Sequence, residues 1–391
     1  MAPIVVYITG FRQHAGKTVT SLGLIALFRK YLDPIHIGYI KPVGQELVEV
    51  EAGRKIDKDA RVVKEFSRIP DMDLRQVSPV RVGSGFTRSF LSAADTREET
   101  QKLENAILEA FRSLAHKKVI IAEGTGHPGV GSIVGLSNAN VAALINADIV
   151  FLSGGGIGKA LDMLEVDLSY FLFKRVRVRG IIFNKLIPDK IETMKQFVTD
   201  ALLNKMYGAF GGSLSILGFL PMIDLLAQPS MKTVFETFRG ALPVGDPEGE
   251  LWKVPCASIK VISLTEGCLR LDKYVTPQSL VIIAANSLRR IKSICDYHEK
   301  LKASGQGIAG LILTCGEGSP ADKAIEKEII RADIPAVCVN EDTATAEKLI
   351  LETYENTKLQ VYEKPKLKEV EQLFERHFDF QKFLDSFSIK L

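Results

Sequence analysis

Cysteine is scarce in this chain. Its 391 residues hold five, Cys256, Cys268, Cys295, Cys315 and Cys338, all in the C-terminal half. None stands in a Cys-x-x-Cys pair, and the count is odd. That excludes a disulfide framework or a zinc cage as the organising device, and buried, reduced thiols are expected. An excess of one charge is also missing: 50 Lys and Arg face 47 Asp and Glu, a net charge of +3, with no long basic block. A nucleic-acid partner is not expected from that balance. No uninterrupted apolar run reaches the length of about 18 residues that a membrane span needs, so no membrane partner is expected. The opening residues enter a strand directly, without a charged leader or cleavage site, and a cytoplasmic location is expected. The composition is otherwise ordinary for a globular protein, 46% hydrophobic and 25% charged, and the length allows two domains or three.

The most informative stretch is Val5 to Val19. An apolar strand runs to Thr9, a turn opens on Gly10 and closes on Gly16-Lys17-Thr18, and an apolar-periodic helix continues from Val19 to Leu32. That order suits a phosphate-binding loop, whose backbone N–H groups and helix N-terminus hold phosphate oxygens. Lys17 neutralises the outer phosphates, and the Thr18 hydroxyl is a ligand for Mg²⁺. The usual spacing leaves four residues between the glycines; here Phe11 to Ala15 make five. Gly-Lys-Thr alone arises by chance, but its strand–loop–helix context points to nucleotide binding, with ATP and Mg²⁺ as the cofactors.

Short apolar strands then alternate with helices. Strands are expected at Ile4–Thr9, Ile35–Ile40, Val119–Ala122, Ile149–Ser153, Val178–Phe183 and Ile216–Phe219. Helices are expected at Thr18–Tyr31, Asp59–Ser67, Arg97–Ala115, Asn138–Ala147, Lys159–Phe173 and Ile191–Met206. The pattern predicts an α/β fold, a parallel sheet with helices on both faces, followed by a second, smaller α/β domain. Ligands of such sheets bind at the C-terminal strand ends. Lys41 ends the second strand before Pro42 and can face the loop, or be a solvated strand-end lysine. Asp57 and Asp59 open a helix; each reads as an N-cap or as a metal ligand, with the metal role favoured for Asp59. Glu123 directly follows an apolar strand, where a phosphate-loop enzyme places the acid that positions Mg²⁺, and Gly124 and Gly126 allow close backbone approach to a ligand. His127 is a substrate contact, a base or a loop residue packed by Pro128. Asn184, after the fifth strand, can read a purine edge or close a turn.

Thr9-Gly10-x5-Gly16-Lys17-Thr18-Val19, Lys41-Pro42-Val43, Asp59-Ala60, Glu123-Gly124-x-Gly126 and Asn184, in that order, resemble dethiobiotin synthetase and its relatives. The resemblance covers roughly residues 1–220. It is closer to the dethiobiotin-synthetase-like domain at the N-terminus of long phosphate acetyltransferases, and to proteins pairing that domain with a DRTGG domain, through Glu123 to Ser132, Leu136 to Ala139 and Gly154 to Lys159. It implies that Gly10, His14, Ala15, Gly16, Lys17, Thr18, Val19, Gly124 and Gly126 surround the nucleotide, with Asn184 at the base. It implies Thr18, Asp59 and Glu123 as the Mg²⁺ shell. Lys17, Lys41 and Glu123 are the implied catalytic set, Lys41 stabilising charge on a phosphorylated carboxyl or carbamate. Gln13 and His14 replace a threonine–glutamate pair of the biotin enzyme, and Gly44-Gln45-Glu46 replace its small hydroxyl residues, so the diamine pocket is not expected here.

The second half has strands expected at Ile259–Leu264, Ser279–Ala284, Gly310–Thr314 and Ala336–Val339, with helices at Leu288–Ala303 and Pro320–Ala332. It resembles a DRTGG domain through Gly307 to Thr314 and Ile334 to Val337, with Ala285 to Arg290 in place of the signature. Pro229 to Pro247 reads as a bridge, and Gly267-Cys268 as a core cysteine rather than a nucleophile. The expected division is 1–224, 225–355 and a helical tail 356–391 that packs on a neighbour or a second subunit, which suggests a homodimer. Three functions fit: ATP-dependent phosphorylation of a small-molecule carboxylate or carbamate, nucleotide and metabolite sensing without turnover, or a partition-type switch ATPase. The last uses a second lysine where Arg12 stands.

Overall fold

The computed structural model describes residues 2–50, 54–208, 213–262, 270–316 and 322–391. The chain divides into two compact units, Met1–Met222 with Leu367–Leu391, and Ile223–Lys366.

The first unit is built on β1 (Ile4–Gly10), β2 (Ile37–Ile40), β3 (Val43–Gly44), β4 (Leu47–Val50), β5 (Arg54–Asp57), β6 (Val80–Arg81), β7 (Val119–Glu123), β8 (Asp148–Ser153), β9 (Val178–Leu186) and β10 (Ser215–Pro221). Six of them form one sheet in the order β10-β9-β8-β1-β7-β2, with every pairing parallel. The runs Val5-Val6-Tyr7-Ile8 and Val119-Ile120-Ile121-Ala122 are apolar without alternation because helices cover both faces of the sheet, and all eight residues are buried. The expected parallel α/β architecture is present. Between Val43 and Arg81 the sequence suggests no strand, yet the chain forms two small ribbons, β3 with β6 and antiparallel β4 with β5. The second expected strand starts later than Ile35, because Pro34 opens a 3-10 turn capped by Asp33. The single helix expected over Ile191–Met206 is two, Ile191–Phe197 and Asp200–Tyr207, separated by Thr199, whose side chain caps the second.

The helix α1 (Lys17–Phe28) carries no polar outer face; its residues from Thr20 to Ile25 are all buried. Residues 367–391 supply the cover. Gly23 lies so close to Phe374 that a Cβ there would stand 2.2 Å from the ring. Phe28 meets Phe380 and Phe383 edge-on at 5.2 and 5.9 Å. Arg29 and Lys30 face Glu371 and Glu375 at 3.9 and 2.7 Å. Past His377 the chain also touches the sheet edge: Asp379 N–H donates to the Leu217 carbonyl at 2.7 Å, and Gly218 bridges Phe378. The tail expected to pack on a neighbour or a second subunit is therefore, from residue 367 on, part of the unit that holds the phosphate loop. Its apolar face is consumed within the chain, which removes the exposed-tail argument for a homodimer.

The second unit holds β11 (Leu242–Val244), β12 (Ser258–Val261), β13 (Ser279–Ala284), β14 (Gly310–Thr314) and β15 (Ala336–Cys338), in the order β11-β15-β14-β13-β12. All pairings are parallel except β11 with β15. The expected bridge Pro229 to Pro247 is integral to this unit: Ser230 caps the helix Met231–Thr237, and Leu242–Val244 is an edge strand. Cys256, Cys295 and Cys338 are buried, whereas Cys315 is exposed, contrary to expectation. Gly267-Cys268 lies outside the described residues, as do Pro320 and the end of the strand expected to reach Leu264.

Candidate nucleotide site

Strand register explains why the site forms where it does. β1 is central, flanked by β7 and β8, and the phosphate loop leaves its C-terminal end. Ile8 pairs with Glu123 across β1 and β7, and Ile40 pairs with Ala122 across β2 and β7. Lys41, one residue past Ile40, therefore arrives beside Glu123. Three strand ends thus deliver the loop, a carboxylate and an ammonium to one place.

The loop is tightly built. A Cβ on Gly10 would lie 2.9 Å from the Ala15 Cβ and 3.0 Å from that of Leu152. Gly16 has φ of 98°, left-handed backbone that disfavours any side chain, and a Cβ there would strike Asn184 Nδ2 at 2.3 Å. His14, at φ 58°, is the other left-handed residue of the loop. Asn184 is buried and donates Nδ2 to the Ala15 carbonyl at 2.8 Å. It anchors the loop, a role the sequence did not suggest beside the purine-edge and turn readings. Val19 lies in the first turn of α1, and Thr20 N–H closes that turn on the Gly16 carbonyl at 2.9 Å. Lys17 is buried and donates Nζ to the carbonyls of Arg12 at 3.2 Å and Gly126 at 3.3 Å.

Glu123 is fully buried and organises the centre. Its Oε1 accepts from Thr18 Oγ1 at 2.8 Å and Lys41 Nζ at 3.0 Å. Its Oε2 accepts from Ser21 Oγ at 2.8 Å and Tyr39 Oη at 3.0 Å. Lys41 Nζ also reaches Asp59 at 2.5 Å and Asp57 at 3.5 Å. Burial works against the Lys41 ammonium, but Asp59, Glu123 and Asp57 outweigh it and hold its pKa well above the usual lysine value. Burial raises the Asp57 carboxyl, with Lys41 acting in the opposite sense. Tyr39 stays a neutral donor, since burial and Glu123 push its pKa well up. Asp57 proves to be the N-cap of the helix Lys58–Ser67, accepting from Asp59 N–H at 2.9 Å, and it also accepts from Gln45 N–H at 3.0 Å. Ser21, Tyr39 and Asp57 thus belong to the cluster. Ser21 had a legible signal, lying one helical turn beyond Thr18.

Three carboxylates around one lysine leave an excess of negative charge, which fits a divalent cation. Of the residues expected around Mg²⁺, Thr18 bonds Glu123 directly, and Asp59 joins them through Lys41, which bridges Asp59 and Glu123. Among the described residues no group of three or more His, Cys, Asp or Glu is placed to hold a metal ion. Gly124 and Gly126 follow Glu123 in the loop after β7. A Cβ on Gly124 would meet Asn138 Oδ1 at 2.5 Å, and Gly126 has φ of 65°. His127 is exposed and accepts from Gly129 N–H at 3.2 Å through Nδ1, the loop role among its three readings. Gln13 Nε2 reaches Glu46 Oε1 at 3.3 Å, joining the two segments that depart from the biotin enzyme.

No helix among the described residues is long and apolar enough to cross a membrane. Among solved structures, the chain is similar to the MinC:MinD cell division protein complex of Aquifex aeolicus, at 11% identity and a TM-score of 0.32, over 57% of this chain and 83% of that one. It is also similar to a plasmid partition protein of Borrelia burgdorferi B31 bound to AMPPNP, at 11% identity and a TM-score of 0.31, over 56% of this chain and 87% of that one. Residues 5–230, more than half of the chain and all of the site described above, match the AAA_26 family, an AAA domain. The chain belongs to that family of phosphate-loop proteins.

Proposed function

We propose that this protein binds Mg²⁺-ATP at the loop Gly10–Thr18 and transfers its terminal phosphoryl group to a carboxylate or carbamate of a small molecule, in the manner of the dethiobiotin synthetase group. One observation carries the reading: Thr18 and Lys41 donate to the same oxygen of Glu123. The hydroxyl that a phosphate loop offers to Mg²⁺ and a second buried ammonium are thereby held within one hydrogen-bonding shell. Mg²⁺, when bound, neutralises charge on the phosphates. Thr18, Glu123 and Asp59 would hold it, and Lys17 would neutralise the outer phosphates. Lys41 then meets the negative charge that develops on an anionic acceptor. Its raised pKa keeps it charged at neutral pH, which suits an electrostatic role and rules it out as a general base there. The Gln13–Glu46 contact and the Gly44-Gln45-Glu46 run argue against a diamine acceptor.

The test is transfer of isotopic phosphate from γ-labelled ATP to a panel of small carboxylates and amines with bicarbonate. The expected result is a labelled acyl or carbamoyl phosphate product with an acceptor other than diaminopelargonate, lost in Lys41→Met. Tight binding of ATP without transfer to any acceptor would favour the sensing function instead. Robust dethiobiotin formation would overturn the exclusion of biotin-precursor chemistry.

A further inference from the structure

Asn138 lies outside the phosphate loop and outside the carboxylate cluster, yet three of its four side-chain hydrogen bonds go to residues 125–127, which follow Glu123. It is the first residue of the helix Asn138–Leu144 and is buried. The cap of that helix is Ser137, whose hydroxyl accepts from Asn140 N–H at 3.1 Å, so the helix does not need the Asn138 side chain. That side chain turns back instead. Its Oδ1 accepts from Thr125 N–H at 2.9 Å and from Tyr7 Oη at 3.0 Å. Its Nδ2 donates to the carbonyls of Thr125 and His127, each at 2.7 Å. Two acceptor and two donor bonds saturate the amide.

The residue enclosed by these bonds is Gly126. Its carbonyl accepts from Lys17 Nζ at 3.3 Å, and its left-handed φ of 65° leaves no room for a Cβ, which would lie 2.6 Å from Val130. Thr125, gripped on both its N–H and its carbonyl, also donates Oγ1 to the Val43 carbonyl at 2.5 Å, two residues beyond Lys41. One side chain therefore fixes the backbone that seats the phosphate-loop lysine and the turn that follows the second lysine.

We propose that Asn138 is the positioning residue of the nucleotide site, holding the Gly126 carbonyl against Lys17 and, through Thr125, the Lys41-Pro42-Val43 turn against the same loop. The inference rests on the nucleotide-site reading above. Asn138→Ala frees residues 125–127, so Lys17 loses a fixed partner and the site loses its preformed shape. Asn138→Asp keeps the size and the two acceptor bonds but turns both donor bonds into contacts between a carboxylate and carbonyl oxygens. Tyr7→Phe removes one bond to Asn138 without touching the segment.

The experiment measures Mg²⁺-ATP affinity by calorimetry and amide hydrogen exchange across residues 124–128 in the full chain. Asn138→Ala and Asn138→Asp are expected to weaken affinity by tenfold or more, and Asn138→Ala, which removes the acceptor of the Thr125 N–H, is expected to speed exchange at Thr125 at least tenfold. Tyr7→Phe is expected to stay within about twofold of wild type. A wild-type affinity in either folded Asn138 variant overturns the proposal. So does fast exchange of the Thr125 amide in the wild-type protein, a measurement that needs no variant to fold. If wild type binds no nucleotide while exchange at 124–128 is slow, the nucleotide-site reading fails, and this inference with it. Loss of thermal stability with affinity and ATP-dependent exchange unchanged would make Asn138 structural only and likewise overturn the proposal.

Discussion

Thr18 Oγ1 and Lys41 Nζ lie 2.8 and 3.0 Å from one oxygen of Glu123. The acid is fully buried and accepts from four donors, so its charge is compensated only while Lys41 is present and the two hydroxyls of α1 keep their place. Glu123→Gln replaces one acceptor oxygen with an NH₂ that faces donors. Breaking a buried ion pair in this way costs about 3–5 kcal/mol. The expected outcome is a lowered unfolding midpoint in urea with little change of slope, together with loss of nucleotide affinity.

Lys41→Met leaves Glu123, Asp57 and Asp59 without their shared ammonium. In the wild type the Lys41 contribution is complete below the unfolded lysine value of about 10.4 and is lost only as pH rises through its raised folded value. In the variant the Asp57 carboxyl, already raised by burial, loses the Lys41 charge that opposed the rise, and so binds a proton more readily folded than unfolded. Its deficit relative to wild type should therefore be largest above pH 7 and shrink as pH falls toward 4. Denaturant melts across that range check the sign; a deficit that grows on acidification would contradict it.

Asp167 offers a separate pH signature. It is buried within the helix Ile157–Phe173, its Oδ2 has no hydrogen-bond partner among the described residues, and burial pushes its pKa up to about 6. A raised carboxyl stabilises the fold below the unfolded value and loses that contribution as pH rises through about 6. Asp167→Asn should therefore stabilise the protein at pH 7, by about 1–2 kcal/mol after allowance for partial solvent screening, and should make no difference near pH 4. Equal melting temperatures of the two proteins at pH 7 would count against this account.

The contact between Gly23 and Phe374 makes the end of the chain part of the nucleotide unit. Gly23→Ala should overpack it and cost about 1–3 kcal/mol, most of it recovered by Phe374→Leu in the same chain. Deleting residues 367–391 exposes Phe28 and the outer face of α1, and nucleotide binding should fall with thermal stability. A truncated protein that binds as wild type does would show the cover to be dispensable.

The phosphate loop and the six-stranded sheet were legible because each rests on short-range pattern. Val5 to Ile8 are continuous apolar residues, and Gly16-Lys17-Thr18 follow at loop distance. Lys41 and Glu123 were legible as residues at strand ends, where a parallel sheet gathers its ligands, and Asp59 as a carboxylate opening a helix. Tyr39 and Asn138 were not, because their roles depend on which strands pair and on which face a side chain emerges, whereas Asp57 was legible as the N-cap it is. Asn184 was read as a base contact or a turn residue, yet it also holds the Ala15 carbonyl, a contact set by β9 reaching the loop from two strands away. The docking of residues 367–391 was invisible for a related reason: an amphipathic helix declares that it packs, and its sequence does not say on what.

The central claim is that the loop after β1 binds Mg²⁺-ATP through Lys17. Calorimetric titration of Mg²⁺-ATP into wild type and Lys17→Ala tests it most directly. Loss of a charged phosphate contact worth about 1.5–3 kcal/mol should weaken binding by roughly ten- to hundredfold. Saturable binding in wild type with most of the affinity gone in a folded Lys17→Ala is the predicted result; equal affinities in the two proteins would contradict the account.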